Sequence, residues 1–174
     1  MNKVQFLTQG CRLNQSETAM LTQQFRQNGF CTTDYTEEAD ISVINTCTVT
    51  ENGDADTRKL IRQLCRKNPM IKIALIGCQS QILKEKLLEL DNVQWVVGNE
   101  NKMALDQIIQ KSGRTKPFVD TEKIKRKAFT FPVASIDKKH SRANIKIQDG
   151  CDFYCSFCVI PFARGPARSR DFEN

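Results

Sequence analysis

Short apolar runs alternate with longer amphipathic segments over the first 110 residues of the chain. The apolar runs predict strands, and the segments between them, in which apolar residues recur every three or four positions, predict helices. The predicted strands are residues 4–7, 41–45, 71–76 and 93–97, and the predicted helices are residues 15–27, 55–67, 81–90 and 102–110. Because strands that alternate with helices of this length favour right-handed crossovers, we expect an α/β fold, a doubly wound parallel sheet with helices on both faces.

Local signals predict where the helices begin and end. Asn14 and Glu17 have the spacing of a helix N-cap and its reciprocal acid, so the first helix is predicted to start at Gln15. Asn28-Gly29 is a typical helix stop. Asn68-Pro69 ends the second helix, because the residue before a proline avoids helical geometry.

The chain changes character after residue 110. Residues 111–142 lack a clear period and carry basic clusters with Pro117 and Pro132, which is typical of a linker, with irregular strands as an alternative. A new strand, Ala143–Gln148, is predicted to lead into a cysteine loop. The predicted domains are therefore 1–110, an α/β domain; 111–142, a basic linker; and 143–174, a second unit that begins with this strand and loop.

Composition excludes several classes of protein. The 174 residues are 40% hydrophobic and 26% charged, which fits a folded domain and not a disordered chain. No apolar run is long enough for a membrane span, and the first residues do not resemble a secretory signal. We therefore expect a cytoplasmic protein without a membrane partner, in which the eight cysteines remain reduced for metal binding or redox work.

The net charge of +6 is unevenly distributed. Residues 1–110 hold 12 basic and 13 acidic side chains, whereas residues 111–174 hold 14 and 7. Such a basic region suits a polyanionic partner such as RNA, since Lys and Arg neutralise phosphates. The alternative is a solvated linker whose charge has no partner.

Three cysteines fall just after predicted strands. Cys11, Cys47 and Cys78 follow the first, second and third strand, respectively. The carboxyl ends of parallel strands open on one crevice, so residues distant in sequence become neighbours there, and three thiols together favour a metal site. The alternative is that each is a small buried hydrophobic residue. Cys31 and Cys65 lack this placement and are interpreted as structural.

Cys151, Cys155 and Cys158 form a C-x3-C-x2-C loop after the last predicted strand. Three thiolates on a cubane iron–sulfur cluster leave one iron open to a substrate or small ligand. A closed zinc site would need a fourth ligand, for which His140 is the candidate.

This loop spacing resembles that of radical S-adenosylmethionine (SAM) enzymes, and the surrounding motifs narrow the resemblance to the radical SAM methylthiotransferases. The motifs are Gly10-Cys11-Arg-Leu-Asn14-Gln15-Ser-Glu17, Asn45-Thr-Cys47-Thr-Val-Thr50, Gly77-Cys78, the Cys151–Cys158 loop, Ile160-Pro161-Phe-Ala-Arg164-Gly165 and Arg168-Ser-Arg170. The resemblance covers nearly the whole chain.

The resemblance implies two 4Fe-4S clusters as cofactors, together with SAM. Cys11, Cys47 and Cys78 would hold an auxiliary cluster in the amino-terminal domain, and Cys151, Cys155 and Cys158 would hold the cluster that cleaves SAM. It also implies a methylthio group added to threonylcarbamoyladenosine beside the tRNA anticodon, with an electron donor protein as a further partner. Related branches act on isopentenyladenosine in tRNA or on an aspartate of a ribosomal protein.

The chain ends 16 residues after Cys158, whereas a full barrel takes about 250 residues. The resemblance therefore implies an incomplete, inactive form that contains the first strand and cluster loop of a truncated radical SAM partial barrel. Arg164, Arg168 and Arg170 are expected to face that barrel, RNA or solvent. Two other hypotheses for the function of the chain stay open: a non-catalytic iron–sulfur or interaction module, and a zinc-bearing RNA binder.

Overall fold

The computed structural model describes residues 2–35, 37–48, 53–112, 116–128 and 145–171. The strands are β1 (Lys3–Thr8), β2 (Cys31–Thr33), β3 (Ile41–Thr46), β4 (Lys72–Gly77), β5 (Val93–Val97), β6 (Phe118–Asp120), β7 (Gln148–Asp149) and β8 (Arg168–Ser169). The helices are α1 (Arg12–Gln27), α2 (Gly53–Lys67), α3 (Cys78–Leu83), α4 (Leu105–Ser112) and α5 (Ile160–Arg164), with 3-10 helices at Lys84–Glu89 and Lys102–Ala104.

Six strands form one sheet in the order β2-β1-β3-β4-β5-β6. Every pairing in it is parallel. This confirms the predicted doubly wound α/β fold. The strand order reverses direction at β1 and β3, and in such sheets the crevice for ligands lies at this point, beyond the carboxyl ends of the strands.

The core consists of two apolar clusters. Val43 belongs to one cluster, with Phe25 of α1 and Trp95 of β5. Ile44 belongs to the other, with Ile61 of α2. Adjacent residues of a strand point to opposite faces, so β3, in which all six residues are buried, supplies both clusters. The sheet is therefore covered on both sides, which holds its carboxyl edge in a fixed shape.

The predicted start of the first helix is wrong. Helix α1 begins at Arg12, with Cys11 as its N-cap and no side-chain capping bond. Asn14 and Glu17 lie inside the helix and are both 0% exposed. Their polar groups bind residues distant in sequence rather than the first amides of the helix, as described below.

The later elements differ from prediction in length. The third helix begins at Cys78, three residues before the predicted start, and continues as a 3-10 helix from Lys84. The edge strand β2 was not predicted. Strand β6 extends the sheet into residues interpreted as a linker, where irregular strands were expected.

The predicted strand Ala143–Gln148 is also wrong in extent. Residues 143 and 144 lie outside the described residues, 145–147 have no regular structure, and β7 pairs with β8 in an antiparallel ribbon. Ile145 and Ile147 are 72% and 70% exposed, since no neighbouring strand covers them within the described residues. Among all the residues that the structure describes, no helix is long and apolar enough to cross a membrane.

Candidate iron–sulfur centre

The parallel register brings Cys47 and Cys78 to neighbouring positions. Thr46 of β3 lies opposite Gly77 of β4, and the two cysteines are the next residues on their respective strands. Cys11 follows β1, the strand on the other side of β3, three residues after Thr8. The three thiol-bearing residues therefore lie along one short stretch of the carboxyl edge of the sheet.

The loop before Cys11 lies directly on Cys47. Gly10 has a φ of 99°, and a Cβ atom added to it would lie 2.5 Å from the Cβ and 2.8 Å from the Sγ of Cys47. A residue with a side chain would clash there, so this close approach requires glycine.

Asn14 ties the two loops together. Its Nδ2 donates to the carbonyl oxygens of Gln9 and Thr46, each at 3.0 Å. Its Oδ1 accepts from the Cys11 thiol at 3.7 Å. One buried amide therefore positions the residues that precede both Cys11 and Cys47.

The entry to Cys78 is equally crowded. Gly77 has a φ of 97°, and a Cβ there would lie 2.5 Å from Asn45 Oδ1 and 2.7 Å from the Thr46 carbonyl oxygen. Asn45 Nδ2 donates to the Asn14 carbonyl oxygen at 3.1 Å. The turn from β4 into α3 is thus packed against β3, which places Cys78 beside Cys47.

Exposure and electrostatics differ among the three thiols. Cys11 is exposed, Cys47 is 8% exposed and Cys78 is 2% exposed. Burial raises the pKa of the Cys78 thiol, although the charges of Arg164 and Lys102 act in the opposite direction. Asn99 Nδ2 also lies 3.7 Å from the Cys78 sulfur, to which it donates.

The second set of thiols lies on a loop that is closed at its base. The Cys151 amide donates to the Gly165 carbonyl at 3.1 Å, and the Cys158 amide donates to the Cys155 carbonyl at 2.9 Å. Cys155 is exposed, and the other two thiols are partly buried. The loop therefore presents its sulfur atoms near the surface, unlike Cys47 and Cys78.

Asp152, within this loop, anchors it to Arg126 and to the backbone of Ala167. Its two carboxylate oxygens accept from Arg126 at 3.0 Å and 2.9 Å, and one also accepts from the Ala167 amide at 3.1 Å. The hydrogen bond from Arg126 is the main cause that lowers the pKa of Asp152. Apolar side chains of and beside the loop are exposed, namely Phe153, Tyr154, Phe157 and Phe162.

A buried group of charges connects the two thiol regions. We call it the ion cluster; it consists of Glu17, Lys102, Lys146, Asp149 and Arg164. Glu17 pairs with Lys102 at 2.5 Å, Lys146 at 2.7 Å and Arg164 at 3.1 Å. Asp149 pairs with Lys146 at 2.6 Å and with Arg164 at 3.0 Å. Arg168 joins at the rim, where it pairs with Asp149 at 3.2 Å and with Glu100 at 3.5 Å.

Mutual pairing keeps the two carboxylates of the ion cluster charged. Burial alone would raise the pKa of Glu17, but Lys102, Lys146 and Arg164 together hold it well below its ordinary value of 4.5. The pKa of Asp149 is likewise lowered, against burial, by Lys146 and Arg164. For Lys102, burial outweighs the attraction of Glu17 and lowers the pKa to about 8.

The expectation that Arg164 and Arg168 face a barrel, RNA or solvent is wrong for these two residues. They are 4% and 9% exposed and bind carboxylates of the ion cluster. Sequence reasoning also missed Glu17, which it assigned to a cap. The available signal was its position three residues after Asn14, on the face of α1 that carries the buried Met20 and Gln24.

The arrangement of the thiols indicates which kind of group they can hold. Within the described residues, no three Cys, His, Asp or Glu side chains converge on a point as ligands of a single metal ion do. In a cubane cluster each thiolate binds a different iron, so the thiolates do not meet at one point. Three thiols at neighbouring positions of the carboxyl edge fit this larger group better than a closed zinc site, which needs a fourth ligand. His140 lies outside the described residues.

A family profile, described as "Uncharacterized protein family UPF0004", matches residues 3–98. The chain belongs to this family. Threonylcarbamoyladenosine tRNA methylthiotransferase MtaB of Aquifex aeolicus is 39% identical over 98% of the chain and 42% of that relative. The protein of the same name in Bacillus subtilis is 38% identical over 99% of the chain and 39% of that relative.

A further relative carries another substrate in its name. The tRNA-2-methylthio-N(6)-dimethylallyladenosine synthase of Christiangramia forsetii is 34% identical over 93% of the chain and 35% of that protein. The chain thus spans about two fifths, or less, of the length of these curated relatives. The names of these three relatives describe enzymes that modify tRNA, two of them as methylthiotransferases.

Proposed function

We propose that this chain carries the two cluster sites of a tRNA methylthiotransferase. Cys11, Cys47 and Cys78 hold one 4Fe-4S cluster, and Cys151, Cys155 and Cys158 hold a second, at which SAM binds. The observation that carries the proposal is the register of β3 and β4, which puts Cys47 and Cys78 side by side where the Gly10 loop packs. Each set offers three thiols, which leaves one iron of a cubane without a protein ligand.

The reaction is the addition of a methylthio group to threonylcarbamoyladenosine next to the tRNA anticodon. When bound, the clusters would supply SAM with an electron received from a donor protein, and would supply a site for the sulfur of the methylthio group. The protein residues have separate tasks: the exposed loop around Cys155 admits SAM, and the buried edge around Cys78 excludes water. An electron donor protein is a required partner. The names and identities of the relatives support this substrate over dimethylallyladenosine.

Electron paramagnetic resonance on the anaerobically reconstituted 174-residue chain tests the cofactor assignment. We expect two cluster signals after reduction, one of which changes when SAM is added. Cys155→Ala should remove the signal that responds to SAM, whereas Cys31→Ala, a partly buried cysteine of β2, should keep both signals. Signals that ignore SAM, or an unchanged response in Cys155→Ala, would overturn the assignment.

Binding of anticodon stem-loops tests the substrate assignment. A stem-loop with threonylcarbamoyladenosine should bind the reconstituted chain more tightly than the same stem-loop with dimethylallyladenosine. Equal affinity for the two, or for an unmodified stem-loop, would contradict the proposed substrate. Because phosphate contacts depend on salt, the comparison is made at one salt concentration.

A further inference from the structure

Arg164 reaches from the second cysteine loop into the first helix. It follows Cys158 by six residues, yet its Nη2 donates to Asn14 Oδ1 at 2.6 Å. Its Nη1 donates to Glu17 at 3.1 Å and to Asp149 at 3.0 Å. The guanidinium is therefore the point at which β7, α5 and α1 meet.

Asn14 carries this connection on to the first set of thiols. The same Oδ1 accepts from the Cys11 thiol, and Nδ2 donates to the carbonyl that precedes Cys47. Through Asn14, Arg164 thus positions the Cys11 thiol and the backbone that precedes Cys47.

Other contacts place residues 145–171 on the same edge. Asn99 Nδ2 donates to the Ala163 carbonyl at 2.6 Å, and α5 packs against α3, the helix that starts at Cys78. The ion cluster contains three cations and two carboxylates. At its rim, Glu100 pairs with both Arg168 and Lys127. Counted over its five described members, the ion cluster has one positive charge in excess, and Lys102 is connected to Cys78 through Asn99.

We propose that Arg164 is a positioning residue that docks the second cysteine loop onto the first set of thiols and presents this excess positive charge to an anionic group held there. The docking component does not depend on any cofactor. The charge component rests on the proposed function, because a cluster with three thiolates is anionic and becomes more so on reduction. A nearby cation stabilises the reduced form and raises its reduction potential.

Hydrogen exchange on the metal-free 174-residue chain tests docking. In Arg164→Gln the amides of Cys151, Ala163 and Arg170, which donate backbone hydrogen bonds, should exchange about tenfold faster or more, while β3 and β4 are unchanged. Arg164→Lys keeps the charge but cannot bridge Glu17 and Asn14 together, so its effect should be intermediate. Arg66→Gln, on the exposed side of α2, is the matched control and should match wild type.

Two results would overturn docking. One is wild-type exchange in residues 145–171 of Arg164→Gln, and the other is equal acceleration in β3 and β4, which would mean a general loss of stability. If Arg164→Gln does not fold, the same comparison is made with Arg164→Lys, for which either result has the same meaning.

The reduction potential of the first cluster tests the charge component, in a Cys155→Ala background that lacks the second. Arg164→Gln should shift it to a more negative value, and Arg164→Lys should shift it less. An unchanged potential in Arg164→Gln would overturn the charge component and leave the proposed function in place. A chain that binds no iron in any form would contradict the proposed function and the charge component together, whereas hydrogen exchange would still decide docking.

Discussion

The Glu17 carboxylate lies 2.5 Å from the Lys102 ammonium, and their side chains are 0% and 3% exposed. The two residues are 85 positions apart in sequence and come from α1 and from the 3-10 helix after β5. Burying a charge is costly unless partners surround it, and Glu17 has three cationic partners. Glu17 therefore links the sheet domain to residues 145–171 through its ion pairs.

Replacing Glu17 with Gln should destabilise the fold strongly. The change leaves Lys102, Lys146 and Arg164 buried with Asp149 as their remaining carboxylate, and breaking a buried pair in this way costs about 3–5 kcal/mol. Urea denaturation measures the free energy of unfolding. The same substitution at the exposed Glu38 should change it by less than about 0.5 kcal/mol. A loss in Glu17→Gln no larger than in Glu38→Gln would contradict this role.

Acid should remove the same stabilisation. The pKa of Glu17 is well below 4.5 in the folded chain, and that of Asp149 is below 3.8, so the folded state binds fewer protons than the unfolded state in this range. Their contribution is present above about pH 4.5 and is lost as the pH falls through the folded pKa values. Denaturation at a series of pH values should show a shallower acid loss in Glu17→Gln. Parallel pH curves for the two proteins would count against the assignment.

Lys102 should make the free energy of unfolding depend on pH in the alkaline range. Because its pKa is lowered on folding, stability should rise with pH there, whereas a lysine with a raised pKa would lose stability. The pKa of Lys102 is about 8 when folded and 10.5 ordinarily, so between these values the unfolded chain binds more protons. The Lys102 contribution to stability therefore rises from about pH 8 to 10.5, as the excess positive charge is relieved. The difference in unfolding free energy between wild type and Lys102→Met should change with pH across this window. A difference that stays constant would refute the shift.

Gly77→Ala should disturb the turn that places Cys78. The new Cβ would meet Asn45 Oδ1 and the Thr46 carbonyl at a φ of 97°, whereas Gly29, at a φ of 84°, has no atom within 4 Å of such a Cβ. Both changes strain the backbone, so their difference isolates the clash. Overpacking should make Gly77→Ala less stable than Gly29→Ala by about 1–3 kcal/mol in thermal or urea unfolding. Equal losses would mean that the close approach carries no cost.

Much of the sheet could be predicted from the sequence because its strands are short apolar runs, and Ile41–Thr46 is buried throughout. The end of α1 was also predicted, since Asn28 is its C-cap. The start of α1 was not, because Asn14 and Glu17 can cap a helix locally but bind distant groups here. A local signal cannot reveal which of the two partners a polar side chain takes.

The candidate site likewise has a part that the sequence predicts and a part that it does not. The placement of Cys11, Cys47 and Cys78 at strand ends followed from the alternation of elements, and the register of β3 and β4 makes two of them neighbours. The ion cluster could not be predicted, because its members come from four separate parts of the chain. Arginine is usually a surface residue, so the sequence gives no sign that Arg164 is buried. Its burial depends on ion pairs with Glu17 and Asp149, which the fold places beside it.

Iron content after anaerobic reconstitution tests the central claim, that the six cysteines form two separate sets. Wild type should bind about eight iron atoms per chain, and about four should remain when Cys11, Cys47 and Cys78 are all replaced by Ala, or when Cys151, Cys155 and Cys158 are. A double replacement of Cys31 and Cys65 should keep the full amount. Equal iron in wild type and either triple variant, or iron lost from the Cys31 and Cys65 variant, would contradict the assignment of thiols to two clusters.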